Sequence, residues 1–204
     1  MTRDFEKVKI FHVSKSEYVE AYLFDGISEK NIKDHENKWV PQLEAANENS
    51  SHQGKPQVAE DAHWRWSRKI DRSANQAACR HYAVEYEDYT LGLISMILVG
   101  KRSRIEPPKD LVYIDYISVC PEARKDLTNP PHYKGVGKIL FMSAVLTSID
   151  EGMEGRIGLV SLPKAQPWYR DILGMKSLGM DPDIPPLEYF ELTSGHAKIL
   201  VDEM

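Results

Sequence analysis

The chain has 204 residues, a formal net charge of −5 at pH 7 and only two cysteines, Cys79 and Cys120. This length can bury a core that folds without disulfides, and two cysteines exclude a disulfide framework and a complete thiolate metal site. The acidic balance argues against general nucleic-acid binding, which needs clustered cations, and no apolar stretch approaches the 18 residues of a membrane span. The start of the chain lacks the layout of a signal peptide, so we expect a cytoplasmic protein that needs no membrane.

The first 78 residues are predicted to be a divergent, mainly helical part. Val8–Val13 alternates like a short strand. Ser14 and Glu17 match a capping box, which predicts a helix after Ser14. The polar, turn-rich segment Asn47–Pro56 predicts a mobile loop, and Ala62–Ala74 has the pattern of an amphipathic helix.

Residues 79–204 have the pattern of an α/β core. Strands are predicted at Arg80–Tyr86, Leu91–Leu98, Leu111–Val119, Arg156–Leu162, Glu188–Thr193 and Ala197–Asp202, and helices at Lys134–Ile149 and Trp168–Leu173. The last two strands would form a hairpin, whereas the helix between the third and fourth strands makes that pair parallel. We therefore expect a single α/β (α+β) domain over residues 1–204, with a mixed, mostly antiparallel central sheet flanked by helices.

The segment with the most chemical information is His132-Tyr-Lys-Gly135-Val-Gly137-Lys138, which opens a predicted helix. Glycines at a helix N-terminus let backbone N–H groups approach a ligand, and the helix dipole favours an anion there. The segment is therefore a candidate pyrophosphate cradle, although Gly-x-Gly alone is also typical of an ordinary loop-to-helix turn. A dinucleotide-binding fingerprint would need glycine in place of Leu140, and a Walker A loop would need Ser or Thr in place of Ile139.

The order of motifs resembles the GNAT superfamily of acyl-CoA-dependent N-acyltransferases. A strand ending in Val119-Cys120-Pro121 precedes the Gly-x-Gly helix, and a further strand and Trp168–Met175 follow it. The family signature is Arg or Gln, two residues, Gly, any residue, then Gly or Ala. His132 stands at the Arg/Gln position, and Gly135 and Gly137 match. The resemblance covers roughly residues 80–202.

The resemblance implies acetyl-CoA as cosubstrate, and the scattered histidines indicate no metal site. It implies that the CoA pyrophosphate is bound by His132, Tyr133, Lys134, Gly135, Val136, Gly137 and Lys138, and that the pantetheine arm pairs with Ile117, Ser118 and Val119. The arm would enter a gap between the third and fourth core strands. Tyr169 matches the family tyrosine that acts as general acid towards the departing thiolate.

A general base is less clearly indicated. Alternation places Asp115 on the same face of its strand as Ile117 and Val119, and a carboxylate among apolar neighbours has a raised pKa that suits a base. Glu85 and Glu87 on the preceding hairpin are comparable candidates, and a chain of water molecules would need no dedicated residue.

Three features depart from the family pattern. The segment Glu122–Pro131 is an insertion that would cover CoA, contact its adenosine phosphate through Arg124 and Lys125, or form a tolerated surface loop. His132 is shorter than arginine and mostly neutral at pH 7. Residues 161–167 lack the Asn that many members use to hold the pantetheine arm.

Cys120, followed by proline, is expected to be a structural thiol.

We therefore expect an N-acetyltransferase that moves an acetyl group to a primary amine, on a small molecule or a protein, by direct attack. The alternatives are a non-catalytic acyl-CoA-binding or sensor protein, and a toxin-like acetyltransferase acting on charged tRNA, which the acidic balance disfavours. Acceptor specificity is expected to lie in Asp25–Ala74 and Met180–Pro186. The predicted terminal hairpin could pair with its copy in a homodimer, because exposed strand edges favour association.

Overall fold

The computed structural model describes residues 3–73 and 78–204, which form nine β-strands and five α-helices. The strands are β1 Phe5–His12, β2 Glu17–Asp25, β3 Cys79–Tyr86, β4 Tyr89–Ile97, β5 Val112–Val119, β6 Tyr133–Lys134, β7 Ile157–Ser161, β8 Lys176–Met180 and β9 Glu188–Leu192. The helices are α1 Glu29–Asp34, α2 Val40–His52, α3 Trp66–Ser73, α4 Val136–Asp150 and α5 Ser194–Asp202. Two π-helical turns lie at His35–Trp39 and Trp168–Ile172.

The strands belong to one sheet in the order β6-β1-β2-β3-β4-β5-β7-β9-β8. β5 and β7 pair in parallel, whereas β1 with β2 and β7 with β9 pair antiparallel. The predicted α/β class with a mixed, mostly antiparallel sheet is therefore confirmed, and so is the parallel arrangement of the two strands on either side of α4.

The chain divides into two compact units, and the first comprises the described parts of residues 1–77, 81–94 and 117–140. Its sheet contribution includes the β1–β2 hairpin, and β2 also pairs with β3. The largest side chains without solvent contact are Trp39 and Trp66. The unit therefore has an aromatic core supplied by the helical segment between β2 and β3.

The helix predicted after Ser14 is wrong, because residues Glu17–Asp25 form β2. Ala21 and Leu23 alternate with more exposed neighbours and are buried. The strand gains backbone pairing on both sides, from β1 and from β3, and this tertiary pairing outweighs a local capping signal.

The loop predicted at Asn47–Pro56 is wrong over its first six residues, which complete α2. The Asn47 side chain holds this region in place: its amide donates to the Ala59 carbonyl at 2.8 Å and its oxygen accepts from the N–H groups of Val58 and Ala59. The helix predicted over Ala62–Ala74 is confirmed from Trp66 to Ser73, and Ala74 lies outside the described residues.

The second unit comprises residues 78–80, 95–116 and 141–204. Its core is apolar: Val112, Ile114, Phe141, Leu159 and Phe190 are all buried. The pairing of β7 with β5 on one side and β9 on the other gives this unit a rigid sheet, on which side chains of successive residues lie on opposite faces.

The prediction of a terminal hairpin is wrong for its second strand. Glu188–Leu192 is a strand as predicted, but Ser194–Asp202 is helix α5. The Thr193 side chain caps this helix by accepting from the His196 N–H, and Ala197 and Leu200 are buried at helical spacing. The hairpin that would have paired across a homodimer is therefore not formed.

None of the helices in the described part of the chain has the length and apolar character needed to cross a membrane. Among residues 3–73 and 78–204, no group of three or more His, Cys, Asp or Glu side chains is arranged to hold a metal ion.

Candidate functional site

The predicted cradle lies at the N-terminus of α4. Gly135 has φ of +96°, and no described atom lies within 4 Å of the position that a Cβ would take. Its carbonyl accepts the first helical hydrogen bond, from the Ile139 N–H at 3.0 Å. The N–H groups of residues 136–138 precede that bond, so helix geometry leaves them without an acceptor inside the helix. A left-handed glycine next to such N–H groups is a suitable anion-binding arrangement.

The loop before the cradle is fixed by its backbone. The His132 N–H donates to the Glu122 carbonyl at 2.7 Å, and the His132 carbonyl accepts from the Val13 N–H at 2.9 Å. Strand β6 then pairs with β1, which places Tyr133 opposite His12, with ring centroids 5.2 Å apart. The side chains of His132, Lys134 and Lys138 are exposed, so they are accessible to a phosphate group.

The parallel ladder between β5 and β7 is short. It joins Val112 to Ile157, Tyr113 to Gly158 and Ile114 to Leu159. Within the described residues this ladder ends at Ile114, although β5 continues through Asp115 and Tyr116 and β7 through Val160 and Ser161. The ladder between β5 and β7 thus ends before either strand does.

The three residues predicted for the pantetheine arm lie at the end of β5. Ile117 and Val119 are half-buried, whereas Ser118 is buried and its hydroxyl accepts a hydrogen bond from the Trp66 indole at 3.0 Å. The Ser118 side chain is thus committed to the protein, and only its backbone remains a candidate for contact with a ligand. No spacing rule predicts the contact with Trp66, because the two residues are so far apart in sequence.

Tyr169 lies in the π-helical turn Trp168–Ile172 and is only 5% exposed. Its ring packs against Trp168 at 5.2 Å and Phe190 at 6.0 Å between centroids. Burial raises the pKa of the Tyr169 phenol well above its ordinary value, which makes it a weaker acid than an exposed tyrosine. Gly174 follows this turn with φ of +64°, and a Cβ there would clash with the His196 side chain.

The three candidate carboxylates differ sharply in their surroundings. Asp115 is exposed on β5, so the apolar environment expected for it is absent. Burial acts to raise the pKa of Glu85, but hydrogen bonds from Lys30, Asn31 and Arg3 outweigh it and lower that pKa.

Glu87 is exposed, and a hydrogen bond from the Tyr86 hydroxyl, with a further contribution from Lys15, lowers its pKa. Neither glutamate therefore has the raised pKa that suits a base, and Glu85 serves as the acceptor of a buried polar network.

No family model and no curated protein sequence matches the chain. Solved structures do match. The GNAT domain of S. lividans PAT covers 92% of this chain and 96% of its own, with a TM-score of 0.54 and 11% identity. The PaiA N-acetyltransferase of Thermoplasma acidophilum, crystallised with coenzyme A, covers 85% and 98%, with a TM-score of 0.53 and 10% identity. A putative GNAT-family acetyltransferase from Desulfovibrio desulfuricans covers 85% and 99%, with a TM-score of 0.52 and 11% identity.

This protein has the GNAT fold. At sequence identities of 10–11%, these structural similarities establish the fold but not the reaction, which depends on this chain's own residues. The predicted resemblance is therefore confirmed at the level of the fold, and it spans more than the core segment that suggested it.

The insertion Glu122–Pro131 packs on the helical segment of this GNAT fold. Arg124 is paired with Asp61 at 2.7 Å and with Asp126 at 3.3 Å, and its side chain is 16% exposed. Glu122 accepts hydrogen bonds from Gln42 and from the Tyr89 hydroxyl. The guanidinium is thus already paired with two carboxylates, which argues against the alternative in which the insertion contacts an adenosine phosphate through Arg124.

Cys120 is fully buried, and its N–H donates to the Leu91 carbonyl at 2.8 Å. Burial and then the charge of Glu122 raise the pKa of the thiol well above its ordinary value. A thiol that remains protonated is a poor nucleophile, so the side chain fits the predicted structural role.

Proposed function

We propose that this protein is an acetyl-CoA-dependent N-acetyltransferase. The observation that carries the proposal is the open N-terminus of α4, where Gly135 takes a left-handed conformation beside free helical N–H groups and empty space. Because the GNAT fold is shared with a structure crystallised with coenzyme A, acetyl-CoA is the anionic ligand that we propose for this cradle.

The pyrophosphate is proposed to bind at the amides of Tyr133–Lys138. Positive charge comes from Lys134 and Lys138, both exposed at the same helix end. His132 presents an exposed imidazole at the position of the family's arginine or glutamine, from which a ring N–H can donate a hydrogen bond to a phosphate oxygen.

The pantetheine arm is proposed to run along Ile117–Val119. The arm contains amide groups that pair with a strand backbone as a peptide would. The early end of the β5–β7 ladder supports this path, because both strands continue beyond their last shared pair at Ile114 and Leu159.

In the proposed reaction a neutral primary amine attacks the thioester carbonyl carbon. The C–N bond forms, the C–S bond breaks, and the sulfur leaves as a thiolate that takes the Tyr169 proton. The role of Tyr169 as the acid is proposed from its match to the family tyrosine, because burial raises the pKa of its phenol and makes it a weaker acid than an exposed tyrosine. Asp115 remains the proposed acceptor of the amine proton, and its exposure on β5 makes transfer through solvent the expected route.

The test is release of the free CoA thiol from acetyl-CoA, measured with a panel of small primary amines and peptide amines. The proposal expects amine-dependent release with at least one acceptor class, together with a product heavier by one acetyl group. Tight binding of acetyl-CoA without release on any amine would instead favour the non-catalytic binding protein.

A further inference from the structure

The second unit contains a cavity of about 270 Å³ on one face of its sheet. Tyr113, Val160 and Tyr189 form its floor. Tyr113 pairs with Gly158 and Val160 pairs with Tyr189, so these side chains lie on the same sheet face. Gly158 makes the floor possible, because a Cβ there would lie 2.5 Å from the Tyr189 hydroxyl oxygen.

The loop after β4 forms one wall, and a buried carboxylate fixes it. Glu191 is fully buried and accepts from the N–H groups of Arg104 at 2.8 Å and Ile105 at 3.2 Å, from the Ser103 hydroxyl, and from the Tyr189 hydroxyl at 3.2 Å. Since these four donors converge on one side chain, the wall is preorganised rather than mobile.

The loop between β8 and β9 forms a second wall. Asp181 in this loop is buried and pairs with Arg104 at 2.8 Å. The guanidinium carbon of Arg104 also lies 3.8 Å above the centre of the Tyr189 ring. The two walls are thus joined by an ion pair that rests on the floor.

The charges around the cavity are mixed. Its lining includes the cations of Lys101, Arg102 and Arg104 and the carboxylates of Asp181 and Asp183. Arg104 is matched by Asp181, whereas Arg102 lies 3.9 Å from Asp110 with 76% of its side chain exposed. The Lys101 ammonium lies 4.5 Å above the Tyr113 ring. The cavity lining therefore presents positive charge at Lys101 and Arg102 and negative charge at Asp183, whose carboxylate also acts on Arg104.

We propose that this cavity binds a free α-amino acid, with the ligand carboxylate at Lys101 and Arg102 and its ammonium group at Asp183. The inference rests on the proposed function, because it names the amino acid as the class of acceptor amine. The cavity is below the roughly 300–1,000 Å³ typical of drug-sized ligands, so a coenzyme does not fit it. A polyamine is disfavoured by Lys101 and Arg102, and a dicarboxylate is disfavoured by Asp183.

The first test is ligand-observed NMR with each of the twenty L-amino acids and no CoA. We expect at least one amino acid to bind. Its carboxamide lacks the carboxylate and its deaminated acid lacks the ammonium group, so each analogue should bind at least about tenfold more weakly. Absence of binding by all twenty, or equal binding of either analogue, would overturn the proposal.

Substitutions of cavity residues test whether the amino acid binds in this cavity. Lys101→Met and Asp183→Asn should each weaken binding of the best amino acid by about tenfold or more. Lys198→Met is the matched control, because it removes an exposed lysine on α5 outside this cavity. Unchanged binding in both cavity variants would place the ligand elsewhere and contradict the proposal.

Acetyl-CoA binding is measured separately, so that a failure of the amino-acid site can be distinguished from a failure of the proposed transferase function. If acetyl-CoA binds and no amino acid does, the acceptor class is wrong and the transferase proposal stands. If an amino acid binds and acetyl-CoA does not, the cavity stands and the transferase proposal fails. Binding of both without acetylation of the amino acid would also overturn its assignment as acceptor.

Discussion

Trp66 and Ser118 are joined by a hydrogen bond of 3.0 Å from the indole Nε1 to the serine Oγ, and both side chains are buried. The bond ties α3 to the end of β5. Trp66 also packs beside His35, whose ring lies 5.2 Å from that of Trp39. The helical segment is therefore attached to the strand proposed to pair with the pantetheine arm.

Trp66→Phe should keep most of the packing and remove this hydrogen bond. An unsatisfied buried hydroxyl costs about 1–3 kcal/mol, so we expect a lower melting temperature together with a Kd for acetyl-CoA that rises a few-fold. Trp64→Phe, at a half-buried neighbour, is the control. A destabilised Trp66→Phe with unaltered acetyl-CoA affinity would show that Ser118 does not influence the cofactor strand.

Gly135→Ala tests the cradle against a matched glycine. Gly135 and Gly26 both have positive φ, +96° and +84°, and at neither does a described atom lie within 4 Å of the place that a Cβ would occupy. Alanine should therefore strain both turns by about 1–2 kcal/mol. Only Gly135→Ala should weaken acetyl-CoA binding, by about tenfold, as measured by calorimetry. Equal affinities in the two variants would contradict the cradle.

Tyr169→Phe tests the general acid. Phenylalanine preserves the contacts with Trp168 and Phe190, so the KM for acetyl-CoA and the melting temperature should change little. Loss of a general acid should lower kcat by about 10²–10⁴-fold. Steady-state rates from pH 6 to 10 check this, and an undiminished kcat across that range would remove Tyr169 from its role.

His35 makes the stability depend on pH. It is 1% exposed, its Nδ1 has no hydrogen-bond partner among the described residues, and burial lowers its pKa to about 4. Asp61 and Glu36 oppose that shift, whereas Arg65 and Lys69 reinforce it. Because the unfolded chain binds this proton near pH 6.5 and the folded chain only near pH 4, stability is lost as the pH falls through that window.

We expect the free energy of unfolding to fall by about 2–3 kcal/mol between pH 7 and pH 4.5 through this group. Urea unfolding at both pH values measures it, and His35→Phe should reduce the difference. An NMR titration in which the His35 ring protonates near pH 6.5 would show that burial does not control it.

The sequence predicts the elements whose pattern is long and apolar. β5, α4 and β7 each lie within two residues of their predicted bounds, because buried strands and helices have characteristic lengths and periods. The prediction fails at β2 because its aromatic residues fit either a helix face or a strand, and only pairing with β1 and β3 decides between them.

Contacts between distant segments do not follow from a single sequence. Gly135 lies in a local motif, which marks it as part of the predicted cradle, whereas its φ of +96° is known only from the structure. The commitment of Glu85 to Arg3 and Lys30 depends on segments more than fifty residues apart, as does the cluster of Arg104 with Asp181. No spacing rule indicates which of these charges will meet.

Thermal unfolding with and without acetyl-CoA tests the central claim most directly, with NAD and ATP as controls. At about 100 times its Kd, a ligand of the folded state adds roughly 2.7 kcal/mol of stability, which for a chain of this length raises the melting temperature by about 5–10 °C. We predict that rise for acetyl-CoA and a much smaller one for NAD and ATP. An unchanged melting temperature at millimolar acetyl-CoA, or equal shifts with all three ligands, would contradict the proposed cradle.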